Sequence, residues 1–211
     1  MPYLNQLIEG YRRFRQTDWR HQRERWSELA EGQSPQVMIL SCADSRVDPA
    51  QIFDAKPGEM FVVRNIAALA PPYETSHGFH GVSAALEFAV TQLNVGEILV
   101  MGHGLCGGCG AALTGKFDDT EPGEGHFISD WVHMLDEASH KVCARHPELD
   151  RDAYTDMEQE AVKVSLANLR TFPWIAEREQ AGTLKLHGAH FAISEGRLYI
   201  LDEAEDAFRP V

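Results

Sequence analysis

The amino-acid sequence predicts an α/β fold, in which helices flank a mainly parallel central sheet and a helical arm precedes it. Short apolar runs at residues 37–40, 60–63 and 97–101 are typical of strands that are buried on both faces. Between the second and third runs, apolar residues from Val82 to Leu93 recur at the spacing of a helix with one buried stripe. A strand, a helix and a strand in that order form a right-handed crossover, which makes the strands parallel.

Residues 1–34 are predicted to form the helical arm, and residues 35–211 the body of the same single domain. Apolar residues of the arm recur at helical spacing: Leu4, Leu7, Ile8, Tyr11 and Phe14. The arm ends at a Gly-Gln-Ser-Pro break at residues 32–35, after which the first strand begins. A chain of 211 residues buries one well-packed core and does not require a second domain.

The second half of the chain alternates further helical and strand patterns. Helical stripes occur at residues 127–142 and 157–172, with Pro122 and Pro147 as punctuation. Residues 184–187 and 198–201 are predicted to be closing strands, joined into a hairpin by a turn at residues 194–196. The acidic segment at residues 202–206 is predicted to be exposed surface.

The charge and the apolar pattern exclude several classes of partner. A formal net charge of -13 repels nucleic acid and anionic lipid, and the arginines of the arm fit a solvated helix face. No segment approaches the roughly 18 apolar residues of a membrane helix, and the first residues lack a signal-peptide pattern. We therefore expect a cytoplasmic protein, whose four cysteines are free thiols or metal ligands rather than disulfides.

Two predicted strands end in residues that suit a metal site. The first strand leads into Cys42, and the third leads into His103, which Cys106 follows three positions later. Because side chains at the carboxyl ends of parallel strands gather at one edge of a sheet, we expect these three to lie together. Two thiolates and one imidazole suit Zn²⁺ and leave the fourth corner of a tetrahedron for water, as in catalytic sites.

Asp44 and Arg46 follow the first of these cysteines closely enough to form a charge-assisted pair. An arginine that holds the carboxylate keeps Asp44 ionised. Asp44 can then accept a hydrogen bond from metal-bound water and orient it.

The combination of Cys42-x-Asp44-x-Arg46 with His103-x-x-Cys106-Gly107-Gly108 resembles the beta-class carbonic anhydrases. The similarity extends over roughly residues 30–200, through motifs such as Pro57-Gly58-Glu59 and Leu186-His187-Gly188. It implies reversible hydration of carbon dioxide to bicarbonate and a proton, by zinc-bound hydroxide that an Asp44–Arg46 dyad orients. It also implies a homodimer or a dimer of dimers, in which the arm reaches across to the neighbouring subunit.

The same resemblance assigns the substrate pocket. It implies that the Gly107 N–H points to a substrate oxygen and that the Gln33 amide contacts bicarbonate. The implied apolar wall is Phe61, Ile66 and Phe88, with Phe88 where plant-like members usually carry tyrosine. Members that bicarbonate switches off usually carry tryptophan where Ile39 stands. We therefore expect the plant-like form with an accessible zinc and no cooperative inhibition by bicarbonate.

Several alternatives remain open at the level of sequence. The same scaffold hydrolyses carbonyl sulfide or carbon disulfide in related proteins, and a non-catalytic protein would keep Asp44 as a fourth zinc ligand. Cys109 could form a redox pair with Cys106, although a small buried residue on a helix is the simpler interpretation. Histidines outside the ligand set could bind a second metal or carry protons: His77, His80, His126, His133 and His140.

Overall fold

The computed structural model describes residues 2–211. These residues form two compact units, one that ends at Ser34 and one that runs from Pro35 to Val211. The sequence predicts the arm and the body over the same residues. That the two units act as one domain remains a prediction.

The N-terminal unit is helical, but its helix is interrupted twice. Helices α1 (Tyr3–Gln16), α2 (Asp18–His21) and α3 (Arg23–Glu31) are separated by Thr17 and Gln22, whose backbone angles are not helical. The rings of Phe14 and Trp26 meet edge to face, with their centroids 5.8 Å apart, so α1 and α3 pack together. Nothing in the apolar spacing of α1 indicates these breaks.

The second unit is built around a six-stranded sheet, and the predicted fold class is confirmed. Its strands are β1 (Val37–Cys42), β2 (Met60–Asn65), β3 (Glu97–His103), β4 (Lys185–Ala192), β5 (Arg197–Asp202) and β6 (Ala207–Pro210). Their order in space is β2-β1-β3-β4-β5-β6, in which the first four are parallel and the last two antiparallel. The predicted hairpin is β4 with β5.

Seven α-helices surround this sheet among the described residues. They are α4 (Pro49–Ile52), α5 (Gly81–Glu87), α6 (Gly107–Thr114), α7 (His126–Val132), α8 (Asp136–Arg145), α9 (Arg151–Leu169) and α10 (Pro173–Gln180). A π-turn at Phe88–Gln92 extends α5. The predicted helix at residues 127–142 is divided, because a 3₁₀ turn at His133–Leu135 separates α7 from α8.

Helix α9 begins earlier than its apolar stripe predicts. The Asp150 side chain accepts hydrogen bonds from the backbone N–H groups of Asp152 and Ala153, which is the geometry of a helix N-cap. The helix therefore includes six residues before Met157. One of them, Tyr154, packs against Gly110 of α6.

The buried residues form two clusters. One includes Leu40, Leu86 and Ile98 and packs the strands against α5 and α10. The other surrounds Cys42 and Cys106 with residues of α6, α8 and α9. The metal-ligand candidates therefore lie within the hydrophobic core, where packing restricts their rotamers.

The acidic segment is a turn between β5 and β6. Strand β6 is not predicted from the sequence. Its side chains reach back to α9 and the residue after it, where Asp206 pairs with Lys163 at 2.7 Å and Glu203 pairs with Arg170 at 3.0 Å. The segment is thus exposed, as predicted, and tied to the body. Within residues 2–211, no helix is both long and apolar enough to cross a bilayer.

Candidate metal centre and its surroundings

The ends of β1 and β3 bring the three predicted ligands together. Cys42 is the last residue of β1, His103 is the last residue of β3, and Cys106 directly precedes α6. In the parallel register Ser41 lies beside Met101, so the two strands end within one residue of each other. The ligand atoms of all three side chains lie within 4.8 Å of one another, and all three residues are buried.

The geometry of this cluster fits a zinc ion. The two sulfur atoms are 4.0 Å apart. Two thiolates about 2.3 Å from zinc at a tetrahedral angle would be roughly 3.8 Å apart. Nδ1 of His103 lies 3.0 Å from the Gly104 carbonyl oxygen, which fixes the ring, while the buried Nε2 has no hydrogen-bond partner among the described residues. This is how a metal-binding imidazole is oriented.

Within the described part of the chain, this is the single group of three or more such side chains that converge on one point. The thiol pKa of Cys42 is raised to about 12, mainly by its hydrogen bond with Cys106 and then by burial. The thiol pKa of Cys106 is also raised to about 12, in the first place by its hydrogen bond with Cys109. Both thiols therefore hold their protons at neutral pH, and a cation that binds there must displace them.

Asp44 and Arg46 form the predicted ion pair beside the cluster. Arg46 donates through Nε to Oδ1 at 2.9 Å and through Nη2 to Oδ2 at 2.7 Å, and its backbone N–H also donates to Oδ1. These hydrogen bonds hold the pKa of Asp44 far below its usual range. The carboxylate stays close to the cluster, because Oδ2 lies 3.9 Å from Nε2 of His103.

Arg64 holds the loop that carries this pair. From β2 it donates through Nε to the Cys42 carbonyl at 2.9 Å and through Nη2 to the Asp44 carbonyl at 2.6 Å. Further hydrogen bonds reach the Val47 carbonyl and the Asp48 carboxylate. A fork of donors that binds successive carbonyls fixes the path of the chain from the ligand to Asp44.

A strained turn after β2 forms the wall beside α6. Ala67 and Ala68 have φ angles of 62° and 57°, and the Asn65 side chain closes the turn by bonding both backbone groups of Leu69. Trp131 donates from Nε1 to the Ile66 carbonyl at 2.9 Å. A β-carbon at Gly108 would lie 2.7 Å from Cγ2 of Ile66. Ile66 is therefore held against the start of α6, and it is partly exposed.

The other predicted pocket residues lie in different places. Gly107 is the first residue of α6, and a β-carbon there would meet nothing within 4 Å. Phe61 lies beside Met38 of β1, four residues before the position level with Cys42, or about 13 Å along the strand. Its ring packs on that of Phe88, with centroids 5.9 Å apart. Gln33 is exposed and belongs to the N-terminal unit.

Some contacts of the ligand loop are not predicted by the sequence analysis. The Cys106 backbone N–H donates to Oε1 of Glu158 at 3.0 Å, and Oε2 lies 2.9 Å from Nε2 of His190. Glu158 stands on the buried face of α9, beside Met157 and Ala161. A carboxyl residue on an apolar face is the signal that could have identified it.

The remaining cysteines and histidines lie outside the cluster. Cys109 is buried on α6, as predicted, while Cys143 is exposed. His80 lies near the Ser76 carbonyl and Glu74. His126 lies 3.3 Å from Asp130, an acidic partner at i+4 spacing, but this exposed pair meets no third ligand among the described residues.

Comparisons with known proteins agree with this fold and cluster. The family model described as carbonic anhydrase matches residues 37–198. Beta carbonic anhydrase 3 of Arabidopsis thaliana is 37% identical over 195 residues, which is 92% of this chain and 74% of that protein. The structure of the beta-carbonic anhydrase CcaA superposes with a TM-score of 0.91 and is 31% identical, covering 99% of this chain and all of that one.

One of two tetrameric beta-carbonic anhydrases of the fungus Sordaria macrospora shares the fold, with a TM-score of 0.80. It is 24% identical, and the match covers 96% of this chain and 98% of that one. The fold and the Cys-His-Cys cluster define an α/β enzyme with a candidate metal centre. The chain belongs to the carbonic anhydrase family, within its beta class, and so is a lyase.

Proposed function

We propose that the chain catalyses the reversible hydration of carbon dioxide to bicarbonate and a proton at a zinc ion held by Cys42, His103 and Cys106. The observation that carries this proposal is the convergence of the three ligand atoms beside the Asp44 carboxylate. Three protein ligands leave one tetrahedral corner for water. When bound, zinc would supply a Lewis acid that lowers the pKa of this water and so makes it a better nucleophile.

Asp44 and Arg46 act on the attacking water in this proposal. The Asp44 carboxylate accepts a hydrogen bond from the water and so orients it toward the carbon of carbon dioxide. Arg46 binds both carboxylate oxygens, which keeps Asp44 ionised and occupies the oxygens that would otherwise bind the metal. This arrangement favours a catalytic site over one in which Asp44 is a permanent ligand, and it agrees with the expected accessible form.

The substrate is bound next to the start of α6. The backbone N–H of Gly107 is one of the donors that a helix leaves without an intrahelical partner, so it can bind an oxygen of carbon dioxide or bicarbonate. Ile66 provides apolar surface beside it for the uncharged gas. Donors placed where negative charge develops on oxygen favour the transition state.

We also propose that the working form is a homodimer or a dimer of dimers. Phe61 and Phe88 are predicted to line the pocket, yet the strand register places Phe61 about 13 Å along β2 from the level of Cys42. A second copy would allow these rings to line a neighbour's pocket. Exposed apolar residues on α1 offer further contact surface: Tyr3, Leu4, Leu7, Ile8 and Tyr11.

A cytoplasmic location is also part of the proposal.

Metal analysis combined with stopped-flow hydration of carbon dioxide tests the proposed centre. We expect one zinc per chain in the native protein, and loss of most of it in Cys42→Ser, His103→Ala and Cys106→Ser, because three ligands leave no redundancy. Cys109→Ser is the matched control, since it removes a neighbouring buried thiol and should keep both zinc and activity. Zinc release from Cys109→Ser together with retention by Cys42→Ser would show that the ligand set is wrong.

A further inference from the structure

The peptide unit between Leu105 and Cys106 is held from both sides. Its carbonyl accepts a hydrogen bond from Nη2 of Arg46 at 3.0 Å, and its N–H donates to Oε1 of Glu158 at 3.0 Å. Leu105 itself has a φ of 59°, a left-handed conformation that a leucine rarely adopts. A strained residue of this kind persists when its surroundings fix it.

Glu158 is itself fixed by packing. It is 2% exposed, and its second oxygen contacts His190, which is 3% exposed. His190 lies beside Gly102 in the sheet, next to the ligand His103. A β-carbon at Gly102 would lie 2.8 Å from Cγ2 of Val162 and 3.3 Å from the Glu158 carbonyl, so α9 approaches β3 closely at this level.

His190 is supported in turn by the antiparallel edge of the sheet. Its ring packs near those of Tyr199 and Phe208, with centroids 6.5 and 6.4 Å away. A cavity of about 290 Å³ lies between α9 and the β4–β5 hairpin, and Glu158 and His190 both border it. One oxygen of the Glu158 carboxyl group thus contacts His190. The other accepts a hydrogen bond from the Cys106 N–H, on the side of the candidate metal centre.

We infer that Glu158, supported by His190, is a positioning residue that holds the Leu105–Cys106 peptide. It fixes the Cys106 thiol in the ligand position and keeps the carbonyl that anchors Arg46 directed toward the dyad. This inference rests on the proposed zinc site. It adds a structural link from α9 and β4 to both the ligand set and the Asp44–Arg46 pair.

The test compares zinc affinity, measured by competition with a chromophoric chelator, in the full-length native protein and its variants. Glu158→Ala should bind zinc about 10–100-fold more weakly, the range found when outer partners of metal ligands are removed. Glu158→Gln keeps an acceptor of the same shape for the Cys106 N–H and should stay within about threefold of the native affinity. His190→Ala should fall between the two, because Glu158 loses its support.

A matched control separates positioning from general destabilisation. Asp150→Ala removes the N-cap of the same helix without touching the ligand loop, so it should lower stability and leave zinc affinity unchanged. Hydrogen exchange at the Cys106 amide should accelerate in Glu158→Ala but not in Asp150→Ala.

Two results would overturn the inference while leaving the zinc site intact. One is native zinc affinity in Glu158→Ala. The other, which decides the matter if that variant does not fold, is native affinity in His190→Ala. Failure of the native protein to bind zinc would instead refute the proposed function.

Discussion

At the level of single residues, the proposed function depends on the ion pair between Asp44 and Arg46, which lies beside the cluster. Asp44 is only partly exposed, and Arg46 binds both of its oxygens while also reaching the Leu105 carbonyl. One arginine therefore connects the carboxylate to the loop that carries Cys106. The two side chains should act as one unit, because neither keeps its geometry without the other.

We expect Asp44→Asn and Arg46→Ala to keep zinc but to lose at least about a hundredfold in hydration rate, the scale on which positioned acid–base groups contribute. The double variant should be little slower than the single variants, since residues that act as a unit have non-additive effects. Stopped-flow rates on zinc-loaded proteins measure this. Fully additive losses in the double variant would mean that the dyad does not exist.

The thiols of Cys42 and Cys106 determine how metal binding depends on pH. Both have a pKa raised to about 12, so both carry protons at neutral pH, and zinc must displace them. Binding should release about two protons, and the apparent zinc affinity should rise roughly hundredfold per pH unit near neutrality. Calorimetry in buffers of different ionisation enthalpy counts these protons, and zinc binding without proton release would refute the prediction.

The raised thiol pKa values also determine how the stability of the metal-free protein changes with pH. The folded pKa of each thiol lies above its ordinary value of 9. The protonated thiols therefore stabilise the folded state fully below pH 9, and this stabilisation is lost as the pH rises toward 12. Zinc-loaded protein, whose thiolates are already deprotonated, should not lose stability in this way.

At the scale of elements, the start of α6 packs against the turn after β2. A β-carbon at Gly108 would lie 2.7 Å from Ile66 Cγ2 and 3.0 Å from Ala67 Cβ, whereas one at Gly107 would meet nothing within 4 Å. A side chain is therefore excluded sterically at Gly108 but not at Gly107. The absence of a β-carbon at Gly108 allows the turn to pack closely against α6, whereas the space beside Gly107 is empty.

We expect Gly108→Ala to lower the free energy of unfolding by about 1–3 kcal/mol, because the turn is strained already and must shift. Gly107→Ala is the matched control and should unfold at nearly the native denaturant concentration. Urea unfolding of the two zinc-loaded variants makes the comparison. Equal stabilities would show that the turn yields without cost.

The elements that could be predicted from sequence are those with a local signal. Strands β1 to β5 follow from apolar runs, and the ligand cluster follows from what stands at the ends of β1 and β3. Strand β6 and the breaks around α2 have no such signal. The contact between Glu158 and Cys106 could not be predicted either, since it depends on how closely α9 approaches β3 at Gly102.

At the level of the whole molecule, the apolar side chains on α1 are not buried within a single copy of the protein. Leu4, Leu7 and Tyr11 each expose more than half of their surface. They recur at helical spacing, which places them on one face of α1. A face of this kind on a helix is typical of a contact between subunits.

We expect the native protein to be a dimer or a tetramer in solution, and Leu7→Asp to shift it toward smaller species. Gln6→Asp, on the same helix, adds the same charge at an exposed polar position and should not change the assembly. Size-exclusion chromatography with light scattering gives the mass of each. A native monomer would refute the proposed assembly.

Zinc can be titrated into the metal-stripped native protein while carbon dioxide hydration is followed by stopped flow, which tests directly whether the cluster holds the catalytic metal. We expect activity to rise linearly and to stop rising at one zinc per chain, because one cluster of three ligands holds the ion. Cys42→Ser should show no such rise over the same range. Full hydration activity before zinc is added, or no activity at full zinc occupancy, would refute the proposed zinc-dependent reaction.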